Sequence, residues 1–593
     1  MTRKIRLNKT IRLVLGVALF SLPILASHDI AIQILPDQKI TMRDGVQLAA
    51  RIWMPAEMKD PLPAIFALTP YVADEGQKRG MYFAGNGYVY LQVDCRGRGN
   101  SEGVFYPDER EGEDGADIVT WIARQPWCDG RVGMRGGSYR GFSQWRTIKE
   151  FPPGLKTIVP TASSYPGIDY PGLSNIFGSY MVQWNSLVAG HTNNKNIFAD
   201  EMYWYDKFYK MYSEHIPFSK LAEITGTNQE LFRRWLSRPH YDDFLREINP
   251  KPEDYRKIDI PVLTITGYFD GDQPGAMAYY REHMQYGTPE GKKKHYLITG
   301  PWSHAGTRNP TKELGGLVFG DDSVLDMDKL HLEWYDWVFK GGKKPAFLRK
   351  RVCYYVMNAD EWKYADRIED IADEKKVWFL SSENGRAHDV FHSGDLTPSP
   401  PPNDQEPDVF TYDPLKIISK KDYLNQKRNE SFLNQRWAFA EEKLIYHSPP
   451  LEEDWELAGY LTLKTYIELN VPDTDLGVTV FEIRPDGQSV FLGDAVIRAR
   501  YRNSLSTPEL VTPGEIEPYV FNNFYFFARK LSKGSRLRLV VHNLNSPDLQ
   551  KNYNSGGNIS DETAADAKIA TIKLYHDRKH PSTLELPVKK KKL

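Results

Sequence analysis

The stretch Asp129-Gly130-Arg131-Val132-Gly133-Met134-Arg135-Gly136-Gly137-Ser138-Tyr139-Arg140-Gly141 decides the fold. It reads as a short strand, a glycine-crowded sharp turn with one serine, and a helix opening at Phe142-Ser143-Gln144-Trp145. A serine on such a turn is pushed out of the backbone, its hydroxyl above the sheet edge, which is the physical content of a nucleophile elbow. Glycines supply unusual dihedrals where strand and helix approach closely. The usual pattern is G-x-S-x-G; here Gly141 comes one residue late. Alone, the stretch also fits an ordinary strand-to-helix loop, so its reading depends on the flanking chain.

Upstream, Ile40 to Trp53 reads as a hairpin turned at Asp44-Gly45. Continuous apolar runs follow at Ala64–Thr69, Tyr88–Asp94, Val132–Met134, Thr157–Val159, Pro261–Thr266 and His295–Thr299. Helical patterns lie between several of them, such as Gly115–Gln125 and Ala276–Tyr286. This alternation predicts a parallel sheet covered on both faces. Residues 163–258 break the rhythm, are rich in aromatics and read as helical, for example at Glu201–Tyr212 and Asn228–Leu236. Placed between core strands, they are expected to cap the carboxyl edge, where ligands bind in open α/β sheets. The core closes with a helix through Leu332–Phe339, stopped by Gly341-Gly342. From residue 351, short strands such as Leu461–Ile467, Val478–Ile483 and Arg536–Val541, with a turn at Pro485-Asp486-Gly487, predict a β-sandwich. The expected organisation is a leader at 1–27, core at 28–162, cap at 163–258, core again at 259–350 and a sandwich at 351–593.

A formal net charge of -2 argues against a nucleic-acid footprint. The three cysteines, Cys95, Cys128 and Cys353, form no C-x-x-C pair and no disulfide framework. Gly97-Arg98-Gly99 fails as a dinucleotide fingerprint because Glu102 holds the third glycine's place, and H-E-x-x-H is lacking, so neither cofactor nor metal is expected. A basic N-terminal segment and the apolar run Leu13–Leu25 read as a signal peptide cleaved near Ala26 or Ser27, with an uncleaved anchor as the alternative. Export to the periplasm or medium, without stable membrane insertion after cleavage, is the expectation. Lys589 to Lys592 reads as a solvated tail.

A nucleophilic serine needs a base, and the base an orienting acid. In sheets of this kind the chain order is serine, acid, histidine. Pro261–Thr266 runs into Gly267-Tyr268-Phe269-Asp270-Gly271-Asp272, and His295–Thr299 into Gly300-Pro301-Trp302-Ser303-His304. Asp270 and His304 therefore lie just past strand ends on the edge that carries Ser138. An oxyanion hole needs donors. The Tyr139 amide is one, and the Tyr71 hydroxyl, in Thr69-Pro70-Tyr71, competes for the second with a reading as a core-edge tyrosine. Asp272 is placed to meet a substrate amine, or is a solvated loop carboxylate. Trp184, Tyr203, Trp204 and Phe269 are aromatic candidates for an acyl pocket or for packing.

Gly136-Gly137-Ser138-Tyr139-Arg140-Gly141 resembles the G-x-S-Y-x-G elbow of the cocaine esterase/X-Pro dipeptidyl-peptidase (CocE/NonD) hydrolases. The likeness extends through Asp94–Gly103, Gln125–Gly130, Pro239–Asp242, Gly267–Asp270, Gly300–His304, Pro472–Asp475 and Arg498–Arg502. It implies an α/β-hydrolase core with an inserted helical cap and a C-terminal β jelly-roll sandwich. It also implies Ser138 as nucleophile, Asp270 as acid, His304 as base, and Tyr71 beside the Tyr139 amide as oxyanion donors. The implied activity is a cofactor-free serine hydrolase of esters or amides acting on a small-molecule or peptide substrate. α-Amino-acid ester hydrolases and glutaryl acylases are also similar, and a non-catalytic glycan or peptide binder using the jelly-roll is the rival class. A homo-oligomer is compatible with the sequence.

Overall fold

The computed structural model describes residues 30–590 apart from 73–75, 384, 386, 402–403, 429–431 and 434–441. The leader predicted at 1–27 lies outside the described residues. Strands β1 (Ile32–Thr41) and β2 (Gln47–Pro55) form the expected antiparallel hairpin, with Gly45 at a φ of 89° in its turn. β3 (Leu62–Thr69), β4 (Val89–Asp94), β5 (Cys128–Gly137) and β6 (Leu155–Thr161) continue a ten-stranded sheet in the order β1-β2-β4-β3-β5-β6. Strands Val262–Phe269, His295–Ser303, Val352–Val356 and Glu361–Ala365 complete it. From β3 and β4 through to Val352–Val356 the pairing is parallel, so all the loops that follow these strands open on one edge.

Strand residues alternate between two cores. Val132 and Met134 of β5 pack with Ile118 of α2 (Glu111–Ala123) and with Phe142 and Trp145 of α3 (Tyr139–Lys149). On the opposite face Ile65, Tyr90 and Val159 meet Phe83 of α1 (Gln77–Gly85) and Trp334 and Phe339 of the helix Met327–Lys340. That helix ends on Gly341 in the left-handed region, as its glycine pair foretold.

The core reaches further along the chain than residue 350. Val352–Val356 is wholly buried and pairs in parallel with His295–Ser303, and Glu361–Ala365 closes the sheet edge. Ala365 ends the ten-stranded sheet. Beyond it thirteen strands share one sheet network around one large apolar cluster. Lys589 is the last residue of its strand and pairs with Asp373 at 3.1 Å, while Lys590 pairs with Glu374 at 3.0 Å, so these two lysines are not a free tail.

Short helices between β6 and Val262–Phe269 form the cap, including Tyr180–Leu187, Glu201–Ser213 and Gln229–Leu236. Asn228 caps the last of these by accepting from the Glu230 and Leu231 amides. The β-domain clamps the cap. Buried Arg498 pairs with Asp475 at 2.8 Å and donates to the Asn175 carbonyl at 2.9 Å, and the Tyr241 amide donates to Leu505 at 3.0 Å.

Candidate active site

Ser138 sits between β5 and α3 with φ 62° and ψ -132°. A non-glycine residue held there stores strain of order 1–3 kcal/mol, tolerated where the surroundings over-determine it. Here its amide donates to the Thr161 and Ala162 carbonyls at 3.0 and 2.9 Å, and its own carbonyl accepts from Gly141 and Phe142. Gly141 is needed at the elbow because a Cβ would stand 2.9 Å from the Ser163 backbone. The late glycine thus does the packing job of the usual one.

Asp270, fully buried, follows the strand Val262–Phe269, and His304 follows His295–Ser303. The two meet at 2.8 Å between His304 Nδ1 and Asp270 Oδ1. Burial opposes charge on the imidazole, yet the Asp270 carboxylate outweighs it and holds the His304 pKa above its ordinary value. The Ser138 hydroxyl donates to Asp272 Oδ2 at 3.4 Å and makes no hydrogen bond to His304. Catalytic hydrogen bonds are often long or unformed in resting sites and tighten on substrate binding.

Asp272 lies 3.7 Å from His304 Nδ1. Desolvation pushes its pKa up to about 6, against the pull of His304. A further carboxylate, which the sequence reading did not single out, stands behind it. Asp169 accepts from the Tyr165 amide at 2.7 Å and the Gly275 amide at 2.6 Å. Burial, then the Asp272 charge, raises the Asp169 pKa well above the carboxylate range. Tyr525 reaches the same group from the β-domain, its phenol raised by burial and by Asp494, Asp169, Asp270 and Asp272. Donor atoms of Asp270, Asp272 and His304 lie within 4.8 Å of one another, the one such cluster among the described residues that could hold a metal ion. An ion there would compete with the bond that orients the imidazole.

Tyr71 and Tyr139 are held as a pair. Tyr139 opens α3, so its N–H has no carbonyl of the helix to meet. Its buried ring stacks on Trp184 at 5.6 Å, and its hydroxyl donates to the buried Glu111 and accepts from the Asp108 amide at 3.1 Å. Desolvation pushes Glu111 up to about 7. The Tyr71 hydroxyl accepts from the Trp184 indole at 3.2 Å and interacts with Ser138, and burial raises its pKa and keeps it protonated. Trp184 is buried and braces both tyrosines instead of facing an open pocket. Phe269 packs its ring on Phe432 of the β-domain, 4.3 Å between centroids, so it joins domains. Tyr203 and Trp204 lie in the cap against each other.

The arrangement brings together a strained serine hydroxyl, a carboxylate-oriented imidazole, a tyrosine hydroxyl that interacts with that serine, and the Asp272 carboxylate with Asp169 behind it. Comparison with known proteins agrees with that chemistry. The X-Pro dipeptidyl-peptidase (S15 family) matches residues 44–306, and the X-Pro dipeptidyl-peptidase C-terminal non-catalytic domain matches residues 348–585. A cocaine esterase from Rhodococcus sp. (strain MB1 Bresler) is 24% identical over 580 residues, spanning 93% of this chain and 98% of that protein. Among solved structures, an α-amino acid ester hydrolase superposes with a TM-score of 0.80 at 21% identity, covering 98% of this chain and 100% of its own. An aminopeptidase from a Thaumarchaeota archaeon superposes with a TM-score of 0.77 at 20% identity, covering 95% and 97%. These two likenesses establish the shared fold.

Proposed function

The chain belongs to the CocE/NonD family of serine hydrolases, and from that premise we propose that it cleaves esters or amides whose acyl group carries a free amine, through an acyl-enzyme on Ser138. The observation that carries the amine is Asp272, a carboxylate 3.4 Å from the nucleophile with Asp169 behind it. Desolvation opposes the charge of both carboxylates, and a substrate ammonium would add a direct counter-charge beyond the pull of His304 and Arg308 on Asp272. α-Amino-acid esters and N-terminal X-Pro peptides both fit this requirement.

In the proposed cycle His304 takes the Ser138 proton as Oγ attacks the carbonyl carbon. The oxyanion accepts from the Tyr71 hydroxyl and the Tyr139 amide. Collapse breaks the bond to the leaving alcohol or amine, which takes the proton from His304. Water then attacks the acyl-enzyme by the same route and releases the acid and free Ser138. Asp270 holds the imidazole tautomer throughout.

The test pairs a p-nitrophenyl ester of an α-amino acid with its N-acetyl counterpart, on wild type and Ser138→Ala. Loss of about three or more orders of magnitude in Ser138→Ala is expected for both substrates, with wild type preferring the free amine. Full turnover by Ser138→Ala would remove the nucleophile assignment. Equal turnover of both esters by wild type would leave a plain carboxylesterase and remove the amine.

A further inference from the structure

Gly97-Arg98-Gly99, the stretch after β4 that fails as a dinucleotide fingerprint, has a different role in the fold. Both glycines hold left-handed backbone, at φ 67° and 51°. A Cβ on Gly97 would stand 2.6 Å from the Phe105 amide nitrogen, and one on Gly99 would stand 2.1 Å from Asp94 Oδ2. The tight turn sends Arg98 inward, where it is wholly buried.

A guanidinium carries five N–H donors in a fixed plane. Arg98 directs its donors at main-chain carbonyls of two separate segments. Nε donates to Pro70 at 2.7 Å, Nη1 to Val188 at 2.8 Å and to Gly190, and Nη2 to Thr192 at 2.9 Å and, more weakly, to Leu187 at 3.5 Å. Pro70 immediately precedes Tyr71. Leu187 and Val188 close the cap helix Tyr180–Leu187, so the cation also meets the negative end of that helix. The same helix carries Trp184, whose indole donates to the Tyr71 hydroxyl at 3.2 Å. One buried side chain therefore fastens the loop that bears this hydroxyl to the helix that braces it. Further ties run alongside. Asn193 Nδ2 donates to the Tyr71 carbonyl at 3.1 Å, and the Gly99 amide donates to the His191 carbonyl at 2.7 Å. Val72, next after Tyr71, is held at φ 66°, a costly conformation for a β-branched residue. A loop strained in this way keeps its shape only where its surroundings over-determine it.

We propose that Arg98, assisted by Asn193, is a positioning residue that keeps the Tyr71 hydroxyl in reach of Ser138 by fastening the Tyr71 loop to the cap. The assignment deepens the serine-hydrolase reading and rests on Tyr71 as an oxyanion donor. It makes the cap part of the oxyanion machinery, because four of the five carbonyls that Arg98 grips belong to the cap.

Steady-state kinetics of the full chain on a p-nitrophenyl ester test it. Arg98→Lys keeps the charge but gathers three donors on one nitrogen, which cannot span both segments. It should lower kcat at least tenfold with KM within about threefold, since a misplacement of about 1 Å can cost about 10²-fold. In a Tyr71→Phe background the same substitution should cost less than about twofold, because its effect passes through a hydroxyl that is already gone. Asn193→Ala should repeat the pattern with a smaller loss, and it carries the test should Arg98→Lys fail to fold. An arginine that only stabilised the fold would lower kcat equally in both backgrounds. That result, or wild-type kcat in both Arg98→Lys and Asn193→Ala, would overturn the assignment. Fluorine NMR of the chain labelled with 5-fluorotryptophan reads position without turnover. The Trp184 signal, identified by its loss in Trp184→Phe, should shift or broaden in Arg98→Lys while the signals of the β-domain tryptophans stay. If Tyr71→Phe keeps wild-type kcat, the oxyanion reading falls and the Trp184 signal decides the positioning role: displaced in Arg98→Lys, the role stands; unmoved, it falls as well.

Discussion

The Asp272 carboxylate takes the hydrogen bond of the Ser138 hydroxyl at 3.4 Å while His304 keeps its Nδ1 on Asp270 at 2.8 Å. The serine contact is long for O–H···O and therefore weak. A substrate ammonium that engaged Asp272 would free the hydroxyl to turn toward the imidazole. Substrate binding and nucleophile activation are then one event.

Asp272→Asn tests that coupling. The variant should raise KM for free-amine esters at least tenfold and leave N-acetyl esters within about threefold of wild type, read from steady-state kinetics. Because desolvation lifts Asp272 to about 6, the wild-type preference for amines should fade as pH drops through 6. The stability sign is opposite to that of a salt-bridged carboxylate. A raised pKa means that ionisation costs folding stability above the unfolded value, by about 1–3 kcal/mol for a shift of this size. Asp272→Asn should therefore melt above wild type at pH 8 and near it at pH 4, checked by calorimetry.

Asp270→Asn addresses the imidazole. Removing the charge that raises His304 should move the acid limb of kcat/KM to lower pH, since the base is then neutral over a wider range. The rate should fall by about 10⁴-fold because the amide no longer fixes the tautomer. A pH profile whose acid limb did not move would show that Asp270 is not what holds the His304 proton.

Tyr71 and Trp184 form a second testable pair. Tyr71→Phe deletes a proposed oxyanion donor and should cost about 10²–10³-fold in kcat with KM little changed. Trp184→Phe deletes the indole that bonds the Tyr71 hydroxyl at 3.2 Å and should cost less. In the double variant the two losses should be non-additive, since the tryptophan acts through the tyrosine. Additive losses would separate them.

The placement of Ser138, Asp270 and His304 at one sheet edge was legible because each follows an apolar run that reads as a strand, and parallel strands deliver their ends to one edge. Asp169 shares that logic, lying in the loop after β6. Its distinguishing contacts, however, are the Tyr165 and Gly275 amides, and backbone donors leave no mark on a sequence. Tyr525 could not be placed because its approach depends on how the β-domain docks. The pairing of Val352–Val356 was hidden for a related reason: its composition suits a sandwich strand, and its parallel pairing with His295–Ser303 is a tertiary choice.

Gln273 links that docking to the site. Its side chain donates to the Gly267 and Phe526 carbonyls, both at 2.9 Å, and accepts from the Phe526 amide at 2.7 Å. It is fully buried and directly follows Asp272. Gln273→Ala would strand the Phe526 amide and carbonyl, each at about 1–3 kcal/mol when buried and unpaired. The expected result is a lower Tm and a weaker kcat with both domains still folded by circular dichroism. Gln273→Glu keeps an acceptor for the Phe526 amide but sets a third carboxylate beside Asp272 and Asp169. Like charges lift each other's pKa, so the pH at which the amine preference appears should rise in this variant. A Gln273→Glu enzyme with the wild-type pH midpoint would mean that the carboxylates beside the nucleophile titrate independently, and the amine would then be read by Asp272 alone.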